Sequence, residues 1–250
     1  MRLIALVEIG GSLEKGSVNV VVLIPAHNEA ATIGSIVGAV KRHLACEVVV
    51  VDDASTDRTA EIARSAGATV LSLSCNLGAW GATQAGIRYA LKAGYKQVLT
   101  MDADGQHLPE AFPSLLVALA SGEADVVIGA CTQRGSHARQ LAWIYFRKLT
   151  GLRIEDLTSG FRAYNEAAMA VLASPEATLL DYQDVGVLLL LRHARLRIKE
   201  VPVPMRERDH GSSRVFPSWL IVGKYMLQTS ILCLAKVGMN GKRQRAYSDD

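Results

Sequence analysis

The stretch that decides the fold is Val18-Asn-Val-Val-Val-Leu-Ile-Pro-Ala-His-Asn-Glu29. From Val18 to Ile24 it is a β-branched, almost wholly apolar run without polar alternation. Such a strand is buried on both faces, as in a parallel sheet covered by helices. The run stops at Pro25, and Asn28 offers an N-cap for a helix over about 29–43. The same unit recurs downstream: strand 47–51, helix 57–66, strand 68–73, helix 80–93, strand 97–101, helix 109–120, strand 125–129. Strands alternating with helices predict an α/β domain, a mostly parallel central sheet with helices on both faces. Past Ala130 the pattern loosens into a helix over 139–149, a loop at Asp156–Arg162, an apolar helix over 185–191 and a strand over 196–203.

With 250 residues, half of them hydrophobic and a fifth charged, the chain can bury a substantial core. A net charge of +3 suits an anionic ligand or membrane surface and is too mild for a nucleic-acid binder. Cys46, Cys75, Cys131 and Cys233 lack C-x-x-C spacing and read as small buried hydrophobes in a reducing compartment. The apolar run Leu3–Val7 is too short for a signal-peptide core, so the expected location is cytoplasmic.

In sheets of this kind ligands gather beyond the carboxyl ends of the strands. Three polar clusters fall there: Pro25-Ala-His-Asn-Glu29, Asp52-Asp-Ala-Ser-Thr-Asp57 and Met101-Asp-Ala-Asp-Gly-Gln-His107. On an extended segment Asp102 and Asp104 point the same way. Two carboxylates held together repel unless a cation lies between them. Oxygen ligands favour Mg2+ or Mn2+, which commonly bridge a diphosphate, and Gln106 adds a neutral oxygen. The competing use of these aspartates is a turn before the helix at Pro109. Asp53 is placed to accept from a base or ribose, while Ser55 or Asp57 caps the next helix. His107 and His210 are candidates for phosphate contact or acid–base work.

These clusters, with Asn76-Leu-Gly78, Ser159-Gly-Phe-Arg162 and Glu200-Val-Pro-Val-Pro204, occur in an order that resembles the family 2 glycosyltransferases of GT-A fold, in particular the dolichyl- and polyprenyl-phosphate mannosyl- and glucosyltransferase branch. The resemblance runs from about Val18 to Arg214. It implies a GT-A catalytic domain over 18–215, followed at 216–250 by an amphipathic helix and basic tail. It also implies a metal-dependent, inverting transfer of sugar from a nucleoside-diphosphate sugar. Pro25, His27, Glu29 and Asp53 match the nucleotide-contacting positions, with His27 where the branch often has Tyr. Asp102, Asp104 and Gln106 match the metal-binding triplet. Arg162 matches a basic residue near phosphate or acceptor, and Arg208, Ser213 and Arg214 resemble a loop that closes over the diphosphate.

Asp184 lies where many members of the family place a catalytic base, although it equally suits a helix N-terminus. Val185 follows it, so the acidic pair of hydroxyl-directed relatives is missing, which favours a lipid-phosphate acceptor over a saccharide hydroxyl. Trp219, Val222, Met226, Cys233 and Val237 share one helical face, interrupted by Lys224 and Lys236 and followed by Lys242, Arg243 and Arg245. Peripheral contact with the cytoplasmic membrane face through 217–245, packing on the domain and a homodimer contact are all open readings. The absence of G-x-G-x-x-G after the first strand argues against a dehydrogenase. A nucleotide-sugar-binding protein without turnover is the non-enzyme alternative.

Overall fold

The computed structural model describes residues 19–131, 137–180, 184–206, 226–227 and 229–230. Seven strands form one sheet: β1 (Val20–Ala26), β2 (Glu47–Asp52), β3 (Thr69–Ser72), β4 (Gln97–Thr100), β5 (Val126–Ala130), β6 (Arg162–Asn165) and β7 (Ile198–Pro202). They lie in the order β3-β2-β1-β4-β6-β5-β7. Every pairing is parallel except those of β6, which runs antiparallel between β4 and β5. Strand order reverses between β1 and β4, which makes the edge beyond Ala26 and Thr100 the place where sheets of this kind take ligands.

Successive side chains of a strand face opposite ways, and the two resulting apolar sets are covered by different helices. Val21, Leu23, Val49, Val51, Val98 and Tyr164 face a core closed by α3 (Gly78–Lys92), α5 (His137–Thr150), α6 (Glu166–Leu172) and α8 (Val185–His193). Val22, Ile24, Val48, Val50, Leu99 and Ala163 face α1 (Ile33–His43), α2 (Thr59–Ser65) and α4 (Phe112–Ala120). In α1 the buried residues Ile33, Ile36, Val37 and Val40 recur at helical spacing, and Lys41, Arg42 and His43 complement the dipole in its last turn.

The expected alternation and both helical layers are present, with four differences. Asn28 does not cap α1: it takes a left-handed conformation (φ 54°), the chain turns, and the helix starts only at Ile33. The loop expected at Asp156–Arg162 ends in a strand, because Arg162 is the first residue of β6. Helix α6 and the single turn α7 (Pro175–Thr178) follow β6 in a region the sequence pattern left unassigned. Among the described cysteines, Cys75 is exposed and Cys46 and Cys131 are half-buried, so none of these three is the buried hydrophobe expected of it. Burial and the neighbouring Glu47 push the Cys46 thiol up to about 11, which keeps it protonated.

Candidate active site

The first two loops are tied together by their own polar groups. His27 is exposed, and its Nδ1–H donates to the Asp53 carbonyl at 2.8 Å, leaving Nε2 to accept from Asn28 Nδ2 at 3.2 Å. Asn28 Oδ1 accepts from Thr56 N at 2.8 Å, and Glu29 N donates to Thr59 Oγ1 at 2.8 Å. Asp57 caps α2 through Thr59 N and also accepts from Ala30 N. Burial opposes ionisation of Asp57, but the bonds from Thr59 and Ala30 outweigh it and hold the carboxyl below its ordinary range. Pro25, half-buried, stands opposite Val51 where the β1–β2 ladder ends.

Asp52 and Asp53 are both buried. Asp52 Oδ1 accepts from Ser55 N at 3.2 Å, closing its own loop. Asp53 Oδ1 accepts from Leu77 N at 2.7 Å and so braces the start of α3. This is the use of Asn76-Leu-Gly78: Asn76 Oδ1 takes Gly78 N at 3.0 Å, and Gly78 has the positive φ (75°) that the entry to the helix requires.

The acidic segment follows β4 at the switch point. It is not extended, as the sequence reading assumed: β4 ends at Thr100 and the chain turns through Ala103 and Asp104, with Gly105 at φ 77°. Alternation of burial survives the turn. Ala103 is buried, while Asp102 and Asp104 are both half-exposed. Asp104 Oδ1 accepts from Gln106 N at 3.1 Å, so the turn chemistry weighed against a metal role is also present. Thr32 Oγ1 has one proton, and Ala103 O, at 2.7 Å, is the nearest of three acceptors, which fastens the first loop to the third.

His107, the candidate for phosphate contact or acid–base work, is buried, with its ring 5.2 Å from that of Phe161. Its Nδ1 accepts from Asp102 N at 3.1 Å. An N–H can only donate, so Nδ1 carries no proton, and the 3.8 Å approach of Asp102 Oδ2 to that nitrogen is not an ion pair. The carboxylate of Asp102 is therefore not neutralised by His107.

Arg162 is fully buried, against the expectation of a basic side chain open to phosphate. Its Nε donates to Ser159 O at 2.7 Å and its second guanidinium nitrogen to Leu157 O at 3.2 Å. Asp184 caps α8, its Oδ1 accepting from Gly186 N at 3.3 Å. Gln106 donates from Nε2 to Arg206 O at 3.4 Å and accepts Arg206 N on its own carbonyl at 2.9 Å. Through this contact and the bridge of His107 to Met205, the chain beyond β7 returns to the acidic segment. Arg208, Ser213 and Arg214 lie outside the described residues, as do His210, Cys233 and most of 216–250. Among the described residues no helix is long and apolar enough to cross a membrane.

A mostly parallel sheet with the loops after β1 and β2 tied together and two half-exposed carboxylates at its switch point is the GT-A arrangement, and the protein is a glycosyltransferase. It belongs to glycosyl transferase family 2, whose family model matches residues 21–171. Among curated relatives, it is 33% identical over 231 residues to an undecaprenyl-phosphate mannosyltransferase of Micrococcus luteus, covering 84% of this chain and 92% of the relative. It is 30% identical to a polyprenol monophosphomannose synthase of Mycolicibacterium smegmatis, covering 90% and 89%. These relatives place it in the polyprenyl-phosphate sugar transferase branch. A solved structure of glucosyl-3-phosphoglycerate synthase from Mycobacterium tuberculosis, with Mn2+, UDP and phosphoglyceric acid, shares the fold. Its TM-score is 0.69 at 22% identity, covering 88% of this chain and 78% of that one.

Proposed function

We propose that the protein moves a sugar, with inversion, from a nucleoside-diphosphate sugar to a polyprenyl phosphate, using Mg2+ or Mn2+ held at Asp102 and Asp104. The observation that carries this reading is the pair of half-exposed carboxylates at the switch point, fastened by Thr32 to the first of the loops expected to take the nucleotide. The residues fit a hard divalent cation. Two carboxylates sit on the solvent side, and neutral His107 offers Asp102 no counter-charge. Among the described residues no third acidic, His or Cys side chain joins them. Gln106 Oε1, donor oxygens and water would complete the shell, as Mg2+ and Mn2+ commonly allow. When bound, such an ion neutralises charge developing on the leaving diphosphate.

The remaining work falls to the protein's own groups. His27, presented flat by Asp53 O and Asn28, offers a ring face to a nucleobase, with Pro25 and Glu29 beside it. The acceptor phosphate is already anionic, so its oxygen can attack the anomeric carbon as the bond to the donor phosphate breaks, with no proton to remove. Asp184 then has no obligatory base role, consistent with its use as a cap. Peripheral membrane contact through 217–245 belongs to the same reading, because a polyprenyl tail stays in the bilayer.

The test is transfer of labelled sugar to undecaprenyl phosphate from UDP- and GDP-sugars. Asp104→Ala is expected to abolish transfer while melting within a few degrees of the wild type. Full activity in the presence of a metal chelator would refute the metal role. Labelled product on a saccharide but not on the lipid would refute the acceptor.

A further inference from the structure

The carboxylate of Asp102 lies directly against Gly160, where a side chain would have to be. A Cβ built on Gly160 stands 2.9 Å from both Cγ and Oδ2 of Asp102, and closer still to Oδ1, whereas ordinary contacts begin at 3.4 Å. The glycine is not there for its backbone freedom, since Gly160 is not among the residues of positive φ. Its reason is steric, and it lies in the turn that follows β4.

The main chain on both sides of this contact is held in place. Thr100 Oγ1 donates to Gly160 O at 2.8 Å. Ser159 Oγ donates to Gly129 O at 2.7 Å and accepts from Phe161 N at 3.2 Å. Arg162 Nε holds Ser159 O, and Gly129 N holds Phe161 O at 2.8 Å. On the other side, the Asp102 main chain is pinned to buried His107, whose ring lies over Phe161. The soft coordinate is the half-exposed Asp102 side chain itself.

We propose that Gly160 is a positioning residue for the cation: its missing side chain lets Asp102 settle where its carboxylate can share an ion with Asp104. Arg162, Thr100 and Ser159 keep the main chain of Gly160 in that place. The inference rests on the metal reading above. Adding a methyl at 160 drives the carboxylate aside by at least about half an ångström, more than the roughly 0.2 Å latitude of metal–ligand distances. Losses of outer-shell support of this kind weaken metal binding by about 10- to 100-fold.

The experiment is a Mn2+ titration of the full chain followed by electron paramagnetic resonance, with and without UDP or GDP, alongside melting curves. Wild type, Asp102→Ala, Gly160→Ala and Thr100→Val are compared. Gly160→Ala is expected to weaken Mn2+ binding about tenfold or more. Its half-activating Mn2+ concentration should rise in parallel, while its rate at saturating Mn2+ returns towards wild type. A merely structural glycine would lower the rate at every Mn2+ concentration and leave the affinity alone. Should Gly160→Ala not fold, Thr100→Val releases the Gly160 carbonyl without adding bulk, and a several-fold weaker Mn2+ affinity is expected. Wild-type affinity in the folded variant overturns the role of Gly160. Failure of the wild type to bind Mn2+ any better than Asp102→Ala overturns the metal reading instead.

Discussion

Asp125, at the end of the sheet far from the acidic segment, gives a prediction whose size can be worked out. Its Oδ2 accepts from Arg197 N at 2.8 Å and Arg197 Nε at 3.1 Å, and its Oδ1 accepts from Arg197 and from Asn165 Nδ2 at 3.1 and 3.0 Å. One carboxylate thus ties the start of β5 to the approach to β7 and the end of β6. The bonds from the Arg197 side chain dominate, and with help from Arg197 N and Asn165 they hold the carboxyl down at about 2. The displacement from 3.8 corresponds to a ceiling of about 2 kcal/mol. Because the Arg197 side chain is 57% exposed, solvent screening brings the expectation to about 1 kcal/mol.

The sign follows from the depressed value. Stability is fully present above the unfolded carboxyl's range and is lost as pH falls towards 2. Asp125→Asn is therefore expected to be less stable than wild type by about 1 kcal/mol from pH 5 to 7. The gap should narrow below about pH 4, as the wild-type carboxyl takes up its proton in the unfolded chain. Urea unfolding at a series of pH values measures it. A gap that does not change with pH, or none at pH 7, would refute the assignment of the stabilisation to this charge.

Two further outcomes are expected. Arg162→Met should cost about 3 kcal/mol in urea unfolding, since it strands two main-chain carbonyls in the interior, while Arg58→Met, at an exposed ion pair, should leave the unfolding midpoint essentially unchanged; equal losses would mean that Arg162 is not buried. Ala54→Gly should raise stability by up to about 1 kcal/mol, because Ala54 is held at φ 54° in the loop beside Asp53. A lower melting temperature in that variant would show that the methyl group makes a contact worth more than the strain.

What the sequence made legible was whatever is encoded locally. The run ending at Ile24 reads as a doubly buried strand because it is almost wholly apolar, and α1 reads as a helix because Ile33, Ile36, Val37 and Val40 recur at its period. Strand β6 escaped because it has four residues and opens on an arginine, and nothing local says that the guanidinium will be buried among carbonyls. His107 ends a polar stretch of the chain, and nothing local announces the contact with Phe161 and the bridge to Met205. The segment Ser159–Arg162 stood out as a motif, but attention falls on its charge. The reason for Gly160 is Asp102, 58 residues earlier in the turn after β4. Asp53 shows the same limit: its partner, Leu77 N, lies 24 residues away.

The antiparallel insertion of β6 also sets an order of assembly during synthesis. Strands β1 to β4 pair among themselves, so the loops around His27 and Asp53 can form as soon as the first hundred or so residues have left the ribosome. Gly160 lies 60 residues beyond Thr100, and translation at roughly 5–20 residues per second delays it by several seconds. Throughout that interval the nascent chain carries its acidic turn without the surface against which Asp102 rests. The loops around His27 and Asp53 are thus made early and the footing of Asp102 late, so a chain cut before Gly160 is expected to keep the first half of its sheet and to lack the surface that positions Asp102.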